Sequence, residues 1–389
     1  MVILKRHNFD EPIVRRGSDA RKYAANECPA DTIPMWIADT DFSCPKELID
    51  AMVERVQQGH YGYPFNDVEF CKAVAKWQSE RFGWDCTPEM VEFAPGAVMP
   101  LVYGMRAFSA PGDKVLLQTP AYHPLFQLIE NNGRRIARNP LILKDGKYEI
   151  DFEDLEKKLS DIRTRVMILC NPQNPTGRVF TKDELQRIGE LCLKYGVFVL
   201  SDEIHSDIVY SGHKHIPFAA VDPRFRDISC MAINPSKTFN TAGLRTAAFI
   251  CPNAHNKALI LEQRLNNKAF GRPIFGQLAM KVLYNECAYY ADQFVEYVEE
   301  NVKLFNEGLK DIEGMELIYP EGTYLLWVDC RKIGMDHLEL MKFFKETVKV
   351  MPNDGYTFGY EGDGFLRFNV ACPKATVVEA IKRFKENIK

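Results

Sequence analysis

Between residues 90 and 285 the chain alternates short apolar runs with stretches of helical spacing. Two of the runs, Val166-Met167-Ile168-Leu169 and Val197-Phe198-Val199-Leu200, carry apolar side chains at successive positions and so on both faces of a strand. Such strands must be covered above and below, as in a parallel sheet between helix layers. The alternation therefore predicts an α/β domain with a mostly parallel sheet. Its strands are expected at 91–94, 115–118, 165–170, 197–201, 228–233 and 246–250. Helices are expected at 99–108, 122–129 and 181–195, the last opened by a capping box of Thr181 with Glu184.

The flanks read differently. Residues 1–45 form an irregular arm, rich in Pro, Asp and Arg, which either wraps a partner subunit or covers a pocket. Helices follow at 45–58 and 68–82. Beyond Pro273 two helices, strands at 315–318, 323–328 and 365–370, a helix at 337–348 and a closing helix from Lys374 read as an α+β tail that packs with the N-terminal helices. The division expected is 1–50 as arm and part of a small domain, 51–287 as a large α/β domain, and 288–389 as a small α+β domain; two domains suit 389 residues.

Composition narrows the partners. A net charge of −4 with scattered basic residues gives no footprint for nucleic acid or an anionic membrane, so small molecules are expected. No run approaches the ~20 apolar residues that cross a bilayer. Eleven cysteines, an odd number with no Cys-x-x-Cys and no secretory leader before them, fit reduced thiols in the cytoplasm.

In open α/β sheets the site forms beyond the carboxyl ends of the strands, and chemistry-bearing residues gather there. Pro95-Gly96-Ala97-Val98 offers backbone N–H groups at a helix start, an anion site. Tyr122 can lie flat on a ring or simply pack. Asn171-Pro172-Gln173-Asn174-Pro175-Thr176-Gly177 is a stiff loop whose Asn174 amide can be aimed at a phenolic oxygen. Asp202, at a strand end behind apolar residues, calls for a cation, although an aspartate capping a turn reads equally well. Ser236-Lys237-Thr238-Phe239-Asn240, with Arg245 eight positions after the lysine, places an amine beside a cation. Desolvated, such an amine has a lowered pKa and attacks carbonyls. His213 and His215 read as a solvated loop, and Glu296, Glu299 and Glu300 as a charged helix face.

In this order, the stretches resemble the fold-type I pyridoxal-phosphate enzymes, the aspartate-aminotransferase-like superfamily. They resemble most the MalY- and PatB-like cystathionine β-lyase, or carbon–sulfur lyase, branch. Its marks here are Pro34 to Phe42, Tyr61-Gly62-Tyr63, Asn171 to Phe180, Ser201 to His205, Ser236 to Asn240 and Gly364 to Pro373. The resemblance implies a large domain with a seven-stranded-type sheet flanked by helices, plus the smaller α+β domain. It implies that Lys237 forms a Schiff base with pyridoxal 5'-phosphate and acts as base, that Asp202 keeps the pyridine nitrogen protonated, that Asn174 bonds the ring hydroxyl and that Tyr122 stacks on the ring. The phosphate would take Ala97, Val98, Ser236, Arg245 and, from the second subunit of a homodimer, Tyr63. Arg367 would hold the substrate carboxylate bidentately, with Trp36 at the substrate mouth. His205 stands where many aminotransferases have tyrosine. Asn234 stands where a phosphate-binding Ser or Thr is usual, which leaves its contact open. The activity implied is α,β-elimination on cystathionine- or cysteine-type amino acids. An aminotransferase would use the same residues, and a regulatory role for the scaffold is a third reading.

Overall fold

The computed structural model describes residues 5–65, 68–269 and 271–388, so the first four residues of the arm lie outside it. Seven strands form the main sheet: β1 (Val91–Ala94), β2 (Lys114–Thr119), β3 (Arg135–Pro140), β4 (Thr164–Cys170), β5 (Phe198–Asp202), β6 (Ser229–Ile233) and β7 (Ala247–Ile250). Their order is β1-β7-β6-β5-β4-β2-β3. Every pairing from β6 to β3 is parallel, while β7 runs antiparallel to both of its neighbours.

The double-sided apolar pattern is used as expected. Val166 and Ile168 of β4 face one core with Phe198 and Leu200, whereas Met167 and Leu169 face another with Val197 and Val199. Helices Val98–Phe108 and Lys182–Tyr195 help to cover these faces, and the second carries the predicted capping box, with Thr181 accepting from the Glu184 N–H. The helix expected from Tyr122 begins later, at Pro124, because proline is favoured in a first turn, where its missing N–H is not needed. Tyr122 is thereby left on the loop before it. Strand β3 escaped prediction: it is a sheet edge whose Ile136 and Ala137 are flanked by Arg135, Arg138 and Asn139, so it lacks the apolar run that marks β4 and β5.

The tail builds an antiparallel sheet in the order Glu316–Ile318, Leu325–Asp329, Phe365–Asn369, Asn353–Asp354. The arm joins this tail, since Ile33–Pro34 pairs in parallel with Val350–Met351. Helices Lys46–Gln57 and Val68–Phe82 instead pack on Ile274–Glu286. One apolar cluster runs from Phe70 and Trp77 through Phe294 to Leu326 and Phe384, so arm, helices and tail share a core. None of the described helices is long and apolar enough to cross a membrane.

Candidate active site

The register of the sheet assembles the site. Cys170 lies opposite Asp202, and Asp202 opposite Ala232, so three adjacent strands end together. From those ends come the Asn171–Gly177 loop, Asp202 itself and the short helix Ser236–Phe239 that carries Lys237. They surround a cavity of about 390 Å³. Lys237, Asp202, Asn174, Tyr122 and His205 line it; so do Ala97, Val98, Asn234, Ser236 and Arg245. Arg367, Trp36 and Tyr63 do not.

The loop holds Asn174 by its own amides. Gln173 Oε1 accepts from the Thr176 N–H at 2.9 Å and the Thr176 hydroxyl at 2.6 Å, while Gln173 Nε2 donates to Pro120 O at 2.7 Å. Gly177 closes the loop at φ +73°, and a Cβ there would meet Pro320 Cβ at 2.5 Å, so only glycine fits.

Burial tunes the ionisable groups. The Lys237 amine is pulled down to about 8, by desolvation first and then by the Arg367 cation, against Asp39 and Asp202, whose carboxylates raise it. Asp202 is pushed up to about 7, chiefly by burial. Its Oδ1 is buried without a partner among the described residues, and so are both ring nitrogens of His205. Burial, with Lys237 and Arg367 nearby, holds His205 well below its usual value and therefore neutral. Tyr122 is raised, again by burial.

Arg367 stands behind Asn174. Its Nη1 donates to Asn174 Oδ1 at 3.0 Å, and its Nη2 donates to Trp36 O at 2.9 Å and Asn353 Oδ1 at 2.5 Å. Three of the five N–H groups of a guanidinium are thus used, and Nε is buried without a partner among the described residues. Trp36 enters through its carbonyl, while its indole N–H donates to Lys22 O at 3.1 Å. Asn234 has a partner too: its Oδ1 accepts the Ser236 N–H at 2.7 Å, capping the turn into the lysine helix. Tyr63 is fully exposed, in a separate hollow with Arg55, His60 and Phe65.

Several contributors were missed by sequence reasoning. Ala38 O accepts the Lys237 amine at 2.8 Å and the Tyr324 hydroxyl at 3.1 Å, so this part of the arm lies against the cavity. The motif around Trp36 flagged the stretch, yet a backbone carbonyl leaves no mark in residue type. His215 corrects the solvated-loop reading: it is buried, with Nε2 3.0 Å from Glu203 Oε2. Glu203 also accepts from the Ser201 hydroxyl and the Phe218 N–H, forming a polar knot next to Asp202 in the chain. Glu299 is likewise largely covered and accepts from the Ser211 hydroxyl at 2.9 Å.

Pyridoxal phosphate, implied by the resemblance, fits these residues. The orphaned Asp202 Oδ1 asks for a cationic N–H, which a protonated pyridine supplies. Asn174 gives its Oδ1 to Arg367 and so turns its amide N–H groups elsewhere. The first-turn N–H groups of helix Val98–Phe108 have no intrahelical acceptor and suit a phosphate.

An open α/β sheet with a desolvated lysine and an unpaired acid at adjacent strand ends defines the scaffold of the fold-type I enzymes. Residues 25–384 match the profile of the family "Aminotransferase class I and II", and the chain belongs to that family. It is 39% identical over 382 residues to cystathionine beta-lyase PatB of Bacillus subtilis (strain 168), covering 97% of this chain and 99% of that protein. Cystalysin from Treponema denticola, whose structure contains pyridoxal 5'-phosphate, superposes with a TM-score of 0.95 at 31% identity over 98% of this chain and 99% of that one. The pyridoxal-phosphate-bound C-S lyase from Staphylococcus hominis gives 0.91 at 30% identity, over 99% and 98%.

Proposed function

We propose that this protein is a pyridoxal-phosphate-dependent carbon–sulfur lyase acting on cystathionine- or cysteine-type amino acids. The observation that carries the reading is the likeness to a cystathionine beta-lyase over nearly the full length of both chains, set beside a lysine whose amine is neutral in part at neutral pH. Asp202 would pair with the pyridine nitrogen, Asn174 with the ring hydroxyl, and His205 would lie at the same ring. Tyr122 would stack on it. Ala97, Val98, Ser236 and Arg245 would hold the phosphate, and Asn234 would shape that turn.

When bound, the cofactor supplies an electron sink for charge developing at the substrate Cα. The chain's own groups do the rest. Arg367, a cation behind the cavity, would orient the substrate carboxylate with its free N–H groups. Lys237 would take the Cα proton as general base. The Cβ–S bond then breaks, its electron pair leaving with sulfur, which takes a proton to become the thiol. Water hydrolyses the remaining enamine to pyruvate and ammonia. Ala38 of the arm lines the cavity and its carbonyl accepts from the amine.

A homodimer belongs to the same reading. Ile49, Val53, Val56, Tyr61, Tyr63 and Phe65 form an exposed apolar face around the residue expected to reach a neighbour's phosphate. Eleven cysteines, none in a disulfide among the described residues, support the cytoplasm as its place.

The test is direct. Purified protein given L-cystathionine should release pyruvate, ammonia and free thiol. Given an amino acid without a β leaving group plus 2-oxoglutarate, it should make little glutamate. Glutamate without thiol release would instead establish an aminotransferase.

A further inference from the structure

We propose that Asp39, gripped by Arg15, is a positioning residue for Lys237: the ion pair fixes the arm segment whose carbonyls hold the reactive amine and the carboxylate-binding arginine. This rests on the reading of Lys237 given above and assigns a task to the ion pair behind the arm.

The segment Trp36–Thr40 meets the site through its backbone. Trp36 O takes Arg367, Ala38 O takes Lys237 and Tyr324, and Ile37 O and Asp39 O each take Asn369 Nδ2 at 2.6 Å. Thr40 exchanges bonds with Asn240, the residue three beyond the lysine. A carbonyl can aim an amine only if its own peptide is held still, so the question becomes what holds this segment. Side chains at its end do. Arg15 Nη2 donates to Asp39 Oδ2 at 2.5 Å, and Arg15 Nη1 donates to Asp39 Oδ1 at 3.1 Å, Asp41 Oδ1 at 2.7 Å and Thr40 O at 3.0 Å. Lys22, with a fully buried side chain, donates to Asp41 Oδ2 at 2.8 Å.

Two cations and two carboxylates in a largely buried cluster add little stability over apolar packing of the same volume, because desolvation offsets their attraction. What they do provide is direction: a bidentate arginine fork admits one orientation of its carboxylate. Asp39 therefore sets the register of Ala38, its chain neighbour. Its charge also reaches Lys237, opposing the Arg367 cation and acting in the same sense as Asp202, while His205 stays neutral and the Tyr324 hydroxyl shares the same acceptor.

The experiment compares Asp39→Asn, Arg15→Met and Arg15→Lys with the parent holoenzyme. Asp39→Asn and Arg15→Met should lower kcat on cystathionine about tenfold through misplacement of the amine, and Arg15→Lys should recover part of that loss. A second readout uses cofactor-free protein. Amide hydrogen exchange at Thr40 and Asp41 should quicken in Arg15→Met, and the pH midpoint for uptake of pyridoxal phosphate should fall in Asp39→Asn, because a charge favouring the protonated amine is gone. Unchanged kcat in folded Asp39→Asn overturns the proposal, whether or not the midpoint moves. If Arg15→Met does not fold, Arg15→Lys with kcat and exchange equal to the parent overturns it as well. The two readings fail separately: turnover persisting in Lys237→Ala refutes the lysine's role, whereas an inactive Lys237→Ala beside a fully active Asp39→Asn refutes this inference alone.

Discussion

At the residue scale the site is a set of ionisable groups whose burial has been left incompletely compensated. Lys237 sits at about 8 because desolvation and Arg367 outweigh Asp39 and Asp202. Each pKa unit corresponds to about 1.4 kcal/mol, so a lysine this far below its ordinary value is a real cost to the fold. The sign is clear: a base with a lowered folded-state pKa is penalised where both states are protonated, below pH 8, and the penalty fades as pH rises toward the ordinary lysine value. Only the neutral amine attacks a carbonyl. Uptake of pyridoxal phosphate by cofactor-free protein, followed by visible absorbance, should therefore rise with pH to a midpoint near 8 and vanish in Lys237→Ala. A midpoint near the ordinary lysine value would show that the amine is not desolvated.

At the element scale, the parts that were legible in sequence are those whose signal is local. The capping box of helix Lys182–Tyr195 needs only Thr181 and Glu184, and the structure makes both of its bonds. Thr181→Ala should cost about 1 kcal/mol of stability in denaturant titration while leaving kcat unchanged, since the cap stands at the far end of the loop from Asn174. A tenfold loss of activity would mean that the helix start also positions the loop. Strand β3 and the true start of the helix at Pro124 were not legible to the same degree. The edge strand carries polar residues because it has one neighbour, and the proline's preference for a first turn outweighed the apolar spacing that suggested Tyr122.

At the scale of the whole molecule, the cavity and the hollow that holds Tyr63 share no lining residue. Tyr63 projects fully into solvent from a face with Val53, Val56 and Phe65, and in the proposed homodimer it would complete a neighbour's site. Complementation decides this. Tyr63→Ala and Lys237→Ala, each impaired alone, should regain activity when mixed and allowed to exchange subunits, because one site of each mixed dimer has both residues intact. Failure to recover, or a fully active monomer in sedimentation, would refute the shared site.

The line between sequence and structure falls along contact range. Alternating apolar runs, by themselves, determined a parallel sheet covered on both faces, and chain order placed Asn174, Asp202 and Lys237 at strand ends, because those signals depend on neighbours in the chain and on the pleat. Only the tertiary structure decided that Ala38 O meets the lysine, that His215 is buried against Glu203, that Asn234 spends its oxygen on the Ser236 N–H, and that three N–H groups of Arg367 are already taken. Each of these contacts joins a polar group to a distant carbonyl or carboxylate, or turns a side chain back on its own loop. Burial makes such pairing obligatory, but which partner satisfies it is settled by how the arm, sheet and tail pack.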